Sequence, residues 1–180
     1  MARPALRRTA VLLTITALLA GCGTSEPTGP FPPRPADIDT TTVDLCTALT
    51  AEQQNELGVG PGEPRVGRIV IGSTRACLWS NFDDGHNYTV QTLPEPAAVA
   101  TEAPGTTVGV VGGYGVVEST SHAESFPLCE FYVDASDEQA LRIQVQASRR
   151  NDDGSRRSLD QVCDRAETVT AQVLENLRGR

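Results

Sequence analysis

The 180-residue chain contains no lysine; all 15 of its basic residues are arginine. That absence excludes Schiff-base chemistry, a Walker A phosphate loop and an S-x-x-K acyl-enzyme site, each of which needs a primary amine. Positive charge is in deficit as well. Against 23 acidic residues the net charge is −8, and without a basic surplus to neutralise phosphates a nucleic-acid partner is excluded. Aromatic residues make up 4 % of the chain, with a single tryptophan, too few for a carbohydrate-stacking platform. Histidine occurs only at His86 and His122, and no G-x-S-x-G nucleophile motif is present. Long apolar runs are missing too. The stretch from Thr9 to Ala20 would span about 18 Å as a helix, short of the roughly 30 Å hydrocarbon core.

That stretch has a different meaning. Arg3, Arg7 and Arg8 precede it without an intervening acid, and Gly21 and Cys22 follow it. A basic head, a short apolar segment and small residues make a secretory signal peptide over residues 1–21. The exit sequence Leu19-Ala20-Gly21-Cys22 resembles the bacterial lipobox, in which the cysteine thiol takes a diacylglycerol and becomes the mature N-terminus. The expectation is a lipid bilayer partner through acylated Cys22, with the protein on the extracytoplasmic face of the cell membrane. The alternative is an ordinary cleaved signal with an incidental cysteine. Removing residues 1–21 leaves 12 arginines against the 23 acids, a net −11. So acidic a surface is repelled by anionic headgroups, and the acyl chains rather than the protein face would hold it there.

Residues 22–42 then read as anchor and tether. The segment Gly23 to Thr42 holds five prolines and few apolar residues, too little to offset the cost of ordering. Residues 43–180 form a single globular α+β domain: a twisted antiparallel β-sheet, N- and C-terminal helices packed on one face, stapled by disulfides. Thr50-Ala51-Glu52-Gln53 and Ser158-Leu159-Asp160-Gln161 have the form of capping boxes, and Gly58 stops the first helix. In the last helix Leu159, Val162, Cys163, Ala166, Val169, Val173, Leu174 and Leu177 recur at helical spacing, leaving Asp164, Arg165, Glu167 and Glu175 largely facing water. Strict alternation predicts strands over Leu141–Ala147 and around Cys129-Phe131-Val133, joined by a turn at Ser136-Asp137-Glu138. Cys77 and Trp79 with Tyr88 and Val90 predict a hairpin about Asp83-Asp84-Gly85. Weaker strands fall at Arg68 to Gly72 and Tyr114 to Ser119, and a short Ala-rich helix at Pro94 to Pro104.

With Cys22 lipidated, Cys46, Cys77, Cys129 and Cys163 remain, an even set that reads as two disulfides in an exported domain. The preferred pairing is Cys46–Cys77 with Cys129–Cys163; the rival is Cys46–Cys163 with Cys77–Cys129. No C-x-x-C spacing exists and the histidines do not cluster with the cysteines, which argues against zinc. No cofactor motif stands out. Gly109 to Gly115 matches neither a dinucleotide nor a Walker loop and reads as a glycine-eased bend entering a strand. Asn151-Asp152-Asp153-Gly154 departs from the calcium-loop formula. It reads as a charged loop, with an anion site formed by Arg149, Arg150, Arg156 and Arg157 as the functional alternative. His86 beside Asp83-Asp84 and His122 near Glu124 have no serine nucleophile at readable spacing. Trp79 reads as packing against a disulfide rather than as an exposed recognition aromatic.

Asp44-x-Cys46 with Leu49-Thr50, then Cys77-x-Trp79, a strand cysteine at Cys129 and Cys163 in the final helix follow one order behind the lipobox. That order resembles an actinobacterial lipoprotein family catalogued as domain of unknown function 3558. Members often carry proline between the first Asp and Cys, where this chain has Leu45. The resemblance implies an extracytoplasmic lipoprotein and carries over no catalytic residues. The functional expectation is a non-catalytic module binding an envelope protein or small ligand. The alternatives are an envelope hydrolase with dispersed active-site residues and a structural envelope component. Cys22→Ala is expected to move the protein from the membrane to the soluble fraction of lysed cells; retention in the membrane would refute lipidation.

Overall fold

Period-two burial builds the sheet, and a helical apolar stripe covers it. The computed structural model describes residues 29–69, 72–123, 126–151 and 153–178. In chain order the elements are a 3-10 turn Leu45–Thr47, α1 (Ala51–Glu56), β1 (Glu63–Ile69), β2 (Gly72–Asn81), β3 (His86–Leu93), a 3-10 helix Ala97–Glu102, β4 (Thr107–Val111), β5 (Tyr114–Ala123), β6 (Phe126–Asp134), β7 (Ala140–Ala147) and α2 (Leu159–Leu177). Seven strands form one sheet in the order β1-β2-β3-β7-β6-β5-β4, every neighbouring pair antiparallel. After β3 the chain passes through the Ala97–Glu102 helix to the far edge. Hairpins then return it to β7, which closes against β3 from Leu93↔Ala140 to His86↔Ala147.

The alternation in β7 is realised: Leu141, Ile143, Val145 and Ala147 are buried, while Arg142, Gln144 and Gln146 point to the other face. The buried row meets Val162, Ala166, Val169, Val173, Leu174 and Leu177 of α2 in the main core. Each such aliphatic side chain contributes about 1.5–3 kcal/mol by leaving water. Both capping boxes form, with Ser158 Oγ accepting from Gln161 N at 3.2 Å and Thr50 Oγ1 accepting from Gln53 N at 3.2 Å. No described helix is long and apolar enough to cross a membrane.

The cysteines pair as Cys46–Cys77 and Cys129–Cys163, with Cα separations of 5.2 and 5.1 Å. The first ties the 3-10 turn to β2, the second β6 to α2. Each closes a loop of 31 or 34 residues, worth about 3.7 kcal/mol in the chain-entropy treatment. Trp79 is buried on the same face of β2 as Cys77. A Cβ on Gly62 would lie 2.6 Å from Trp79 Cε2, so only glycine lets the chain pass over that indole.

Three expectations need correction. The stretch read as an unstructured tether up to Thr42 is packed from Phe31 onward. Phe31 joins Leu93, Ala97, Val117 and Ala140 in a smaller core on the opposite face of the sheet, and Ile38 is wholly buried in the main one. Two apolar anchors suffice because prolines have already reduced the entropy of the free segment. Ile38 N donates to Ala135 O at 3.0 Å, and the Arg34 guanidinium binds Asp134 at 2.8 Å, with Asp37 and Asp137 also in contact. Second, the glycine-rich run holds the expected bend into a strand, but the residues before that bend form a strand as well. Gly112 and Gly113, at φ +59° and +87°, make a two-residue turn between β4 and β5, adding an edge strand. Third, the weak strand at Arg68 to Gly72 is divided: Arg68 and Ile69 end β1, and Gly72 starts β2.

Ile38→Ala is expected to cost about 2–5 kcal/mol, the usual range for emptying a filled core site. A chain beginning at Val43 should unfold at lower urea than one beginning at Gly29. Equal midpoints for the two chains would show that residues 29–42 contribute nothing to the domain.

Candidate functional site

The only described histidine side chain lies where the β2–β3 hairpin, the loop after β7 and the start of α2 converge. Asn81 ends β2 and shapes the turn, its Oδ1 accepting from Asp83 N at 2.9 Å and Asp84 N at 3.0 Å. Asp84 Oδ1 then accepts from His86 N at 3.0 Å, an Asx turn that swings the carboxylate toward the imidazole. Asp84 Oδ2 lies 3.0 Å from His86 Nδ1. Arg157, immediately before the N-cap of α2, is buried and places NH1 3.2 Å from His86 Nδ1 and 3.3 Å from Nε2, against the ring rather than on either lone pair, and 2.9 Å from Asp84 O. Arg165, on the second turn of α2, donates to Asp84 Oδ2 at 2.9 Å and to Tyr88 Oη at 2.7 Å.

The Asp84 contact places the imidazole proton: a carboxylate oxygen can only accept, so Nδ1 carries the N–H that Asp84 Oδ2 receives. Burial pulls the imidazole below its usual pKa; Arg165 and Arg157 repel its cation, against the pull of Asp84. Burial would raise Asp84, but its bonds to His86 and the charge of Arg165 hold the carboxyl below the usual range. Burial also raises the Tyr88 phenol, with Arg165 acting the other way.

An acid-oriented histidine is half of a hydrolytic centre, yet this one is buried, with the Arg157 guanidinium against its ring. Arg157 is held there by a further bond from its Nε to Asn151 Oδ1 at 2.9 Å. Ser148, at the same end of the sheet, donates its hydroxyl to Arg150 O at 3.0 Å. The cluster therefore works as a staple between hairpin, loop and helix. The four loop arginines do not converge on an anion: Arg157 points inward to His86, and Arg150 donates to Gly154 O at 2.6 Å. The side chain of His122 and all of Cys22 lie outside the described residues. Among the described residues one group of three metal-type ligands occurs, Glu118 with Cys129 and Cys163, and its two sulfurs are joined to each other. A cavity of about 590 Å³ lies at the opposite end of the sheet, bordered by Phe31, Arg34 and Asp134.

Asp84-x-His86 was visible as a spacing. Arg165 was not, since its helical position predicts solvent and only the docking of α2 brings it half-buried against Tyr88. Trp79 is core, as its place beside Cys77 suggested.

Fold and site together define a disulfide-stapled α+β sheet domain whose described histidine is buried in a charged cluster. The chain belongs to the family described as protein of unknown function (DUF3558), whose model matches residues 17–176. Comparison with curated proteins and with solved structures finds no match.

The folded state binds the His86 proton more weakly than the unfolded chain, whose value is near 6.5. The stability this contributes is complete above about pH 6.5 and is lost as pH falls below it. The urea midpoint should drop between about pH 7.5 and 5, and His86→Gln should flatten that drop. An unchanged slope in the variant would remove His86 as its source.

Proposed function

We propose that the chain is a non-catalytic lipoprotein, held by acylated Cys22 on the extracytoplasmic face of the cell membrane, whose domain binds an envelope protein or small ligand. The observation that carries the non-catalytic part is the burial of His86, 5 % exposed, against the guanidiniums of Arg157 and Arg165, which leaves its ring little access to a substrate. Support for an extracytoplasmic site comes from the basic and apolar N-terminus and from four cysteines oxidised in pairs, a state that persists in oxidising compartments.

On this reading the leash is short. Nine residues separate Cys22 from Phe31, where packing begins among the described residues, a reach of about 30 Å at full extension. Residues 31–38 pack beside the β6–β7 turn, so that end of the sheet is membrane-proximal and the His86 end is distal. A domain held so close to lipid meets partners at the membrane surface.

Reversible cross-linking in intact cells tests the reading. The anchored chain should give a discrete adduct with an envelope component, and release through Cys22→Ala should abolish it. Adducts no more specific than those of an unrelated lipoprotein would refute a binding role.

A further inference from the structure

The two edges of the sheet are unlike. β1 carries Glu63, Pro64 and Arg65, the charges and proline with which natural edges repel added strands. β4 reads Thr107-Val108-Gly109-Val110-Val111, without charge or proline, and Val108 and Val110 are 45 % and 56 % exposed. Its hydrogen-bonding pattern follows from its turn. A two-residue Gly-Gly turn with both φ positive is closed by a hydrogen-bonded pair, here Val111 and Tyr114. Alternation along an antiparallel ladder makes Val110↔Gly115 and Val108↔Val117 the pairs without mutual bonds. The backbone N–H and C=O groups of Val108 and Val110 therefore point away from β5. Among the described residues, no backbone group beyond β5 bonds to them.

Beside the end of this strand runs a groove of about 470 Å³, between Val110–Gly112 and the outer face of α2. Glu167, Ala171 and Glu175 line it at successive helical turns, and neither glutamate is ion-paired with a described cation. Gln172 Oε1 is buried there without a donor. A row of unused backbone groups thus adjoins acceptors that want cationic donors.

We propose that β4 is a docking edge for an extended segment of a partner protein, which adds as an eighth strand and sets arginine or lysine side chains against Glu167 and Glu175. The proposal rests on the binding role inferred above and specifies its site and partner chemistry. Backbone bonds to Val108 and Val110 supply affinity, and alternate side chains supply selectivity. A second copy of this chain fits less well. Pairing β4 with its own equivalent would put two glutamate-lined helices on one face of a joined sheet, in a chain of net charge −8.

The test uses the full chain and a synthetic peptide in which valine and arginine alternate. Binding should slow amide exchange at Val108 and Val110, and the same peptide with glutamate for arginine should bind at least about tenfold more weakly. Glu167→Gln with Glu175→Gln should reduce that preference. Val110→Pro removes an outward N–H without costing a ladder bond and should abolish binding; Val110→Lys, which keeps the N–H, should weaken it if proline disturbs the melting temperature. Absence of binding, equal affinity for the two peptides, or binding that survives Val110→Pro overturns the proposal. So does concentration-dependent dimerisation that Val110→Pro removes, which would make the occupant a second copy. A cellular cross-link that persists in Val110→Pro would keep the binding role and overturn this edge as its site.

Discussion

The seating of α2 on strands β6 and β7 is the contact on which the rest of the molecule depends. Its stripe from Val162 to Leu177 closes the main core, and without it the buried row of β7 would face water. The Cys129–Cys163 bond fixes where along β6 the helix starts. That register then determines three further things. It brings Arg157 and Arg165 to the end of the β2–β3 hairpin, directs Glu167 and Glu175 toward β4, and lays Leu174 against the Gly112 turn. Staple, groove and edge are consequences of one helix position.

The charged cluster ties three separate parts of the chain together. Asp84 and His86 have the geometry of an oriented base, and the two guanidiniums packed against the buried imidazole disfavour its cation. Two arginines against one carboxylate leave a surplus positive charge, that of Arg157, since Arg165 is the one paired with Asp84 and Arg157 donates to neutral oxygens. In a chain with few cations, committing two of its arginines here leaves the outer face of α2 dominated by acids. The asymmetry between a guarded β1 and an unguarded β4 acquires its meaning from that acidity.

Much of the architecture was legible. Caps at Thr50 and Ser158, alternation in β6 and β7, and the pairing of four cysteines are local or near-local signals, and each corresponds to an observed feature. The misreadings share a cause. Residues 31–42 are compositionally tether-like, and two side chains, Phe31 and Ile38, order them by finding sites built from β5, β6 and β7. Thr107–Val111 is too short and too glycine-flanked to announce a strand, and only pairing with Tyr114–Glu118 makes it one. Arg165 sits at a helical position that normally faces water, and the hairpin that covers it is about 80 residues away.

By itself the sequence determined where the two α-helices begin, which face of β6, β7 and the last helix is apolar, and that the four domain cysteines form an even set. Caps, periodicity and composition act over a few residues and need no knowledge of what lies opposite. Tertiary structure alone decided that the histidine is buried between two arginines, that the proline-rich segment belongs to the domain, and that one sheet edge lies open beside acids. Each of those facts is a meeting of residues from 30 to about 100 positions apart, brought together by the packing of whole elements rather than by anything local to either partner.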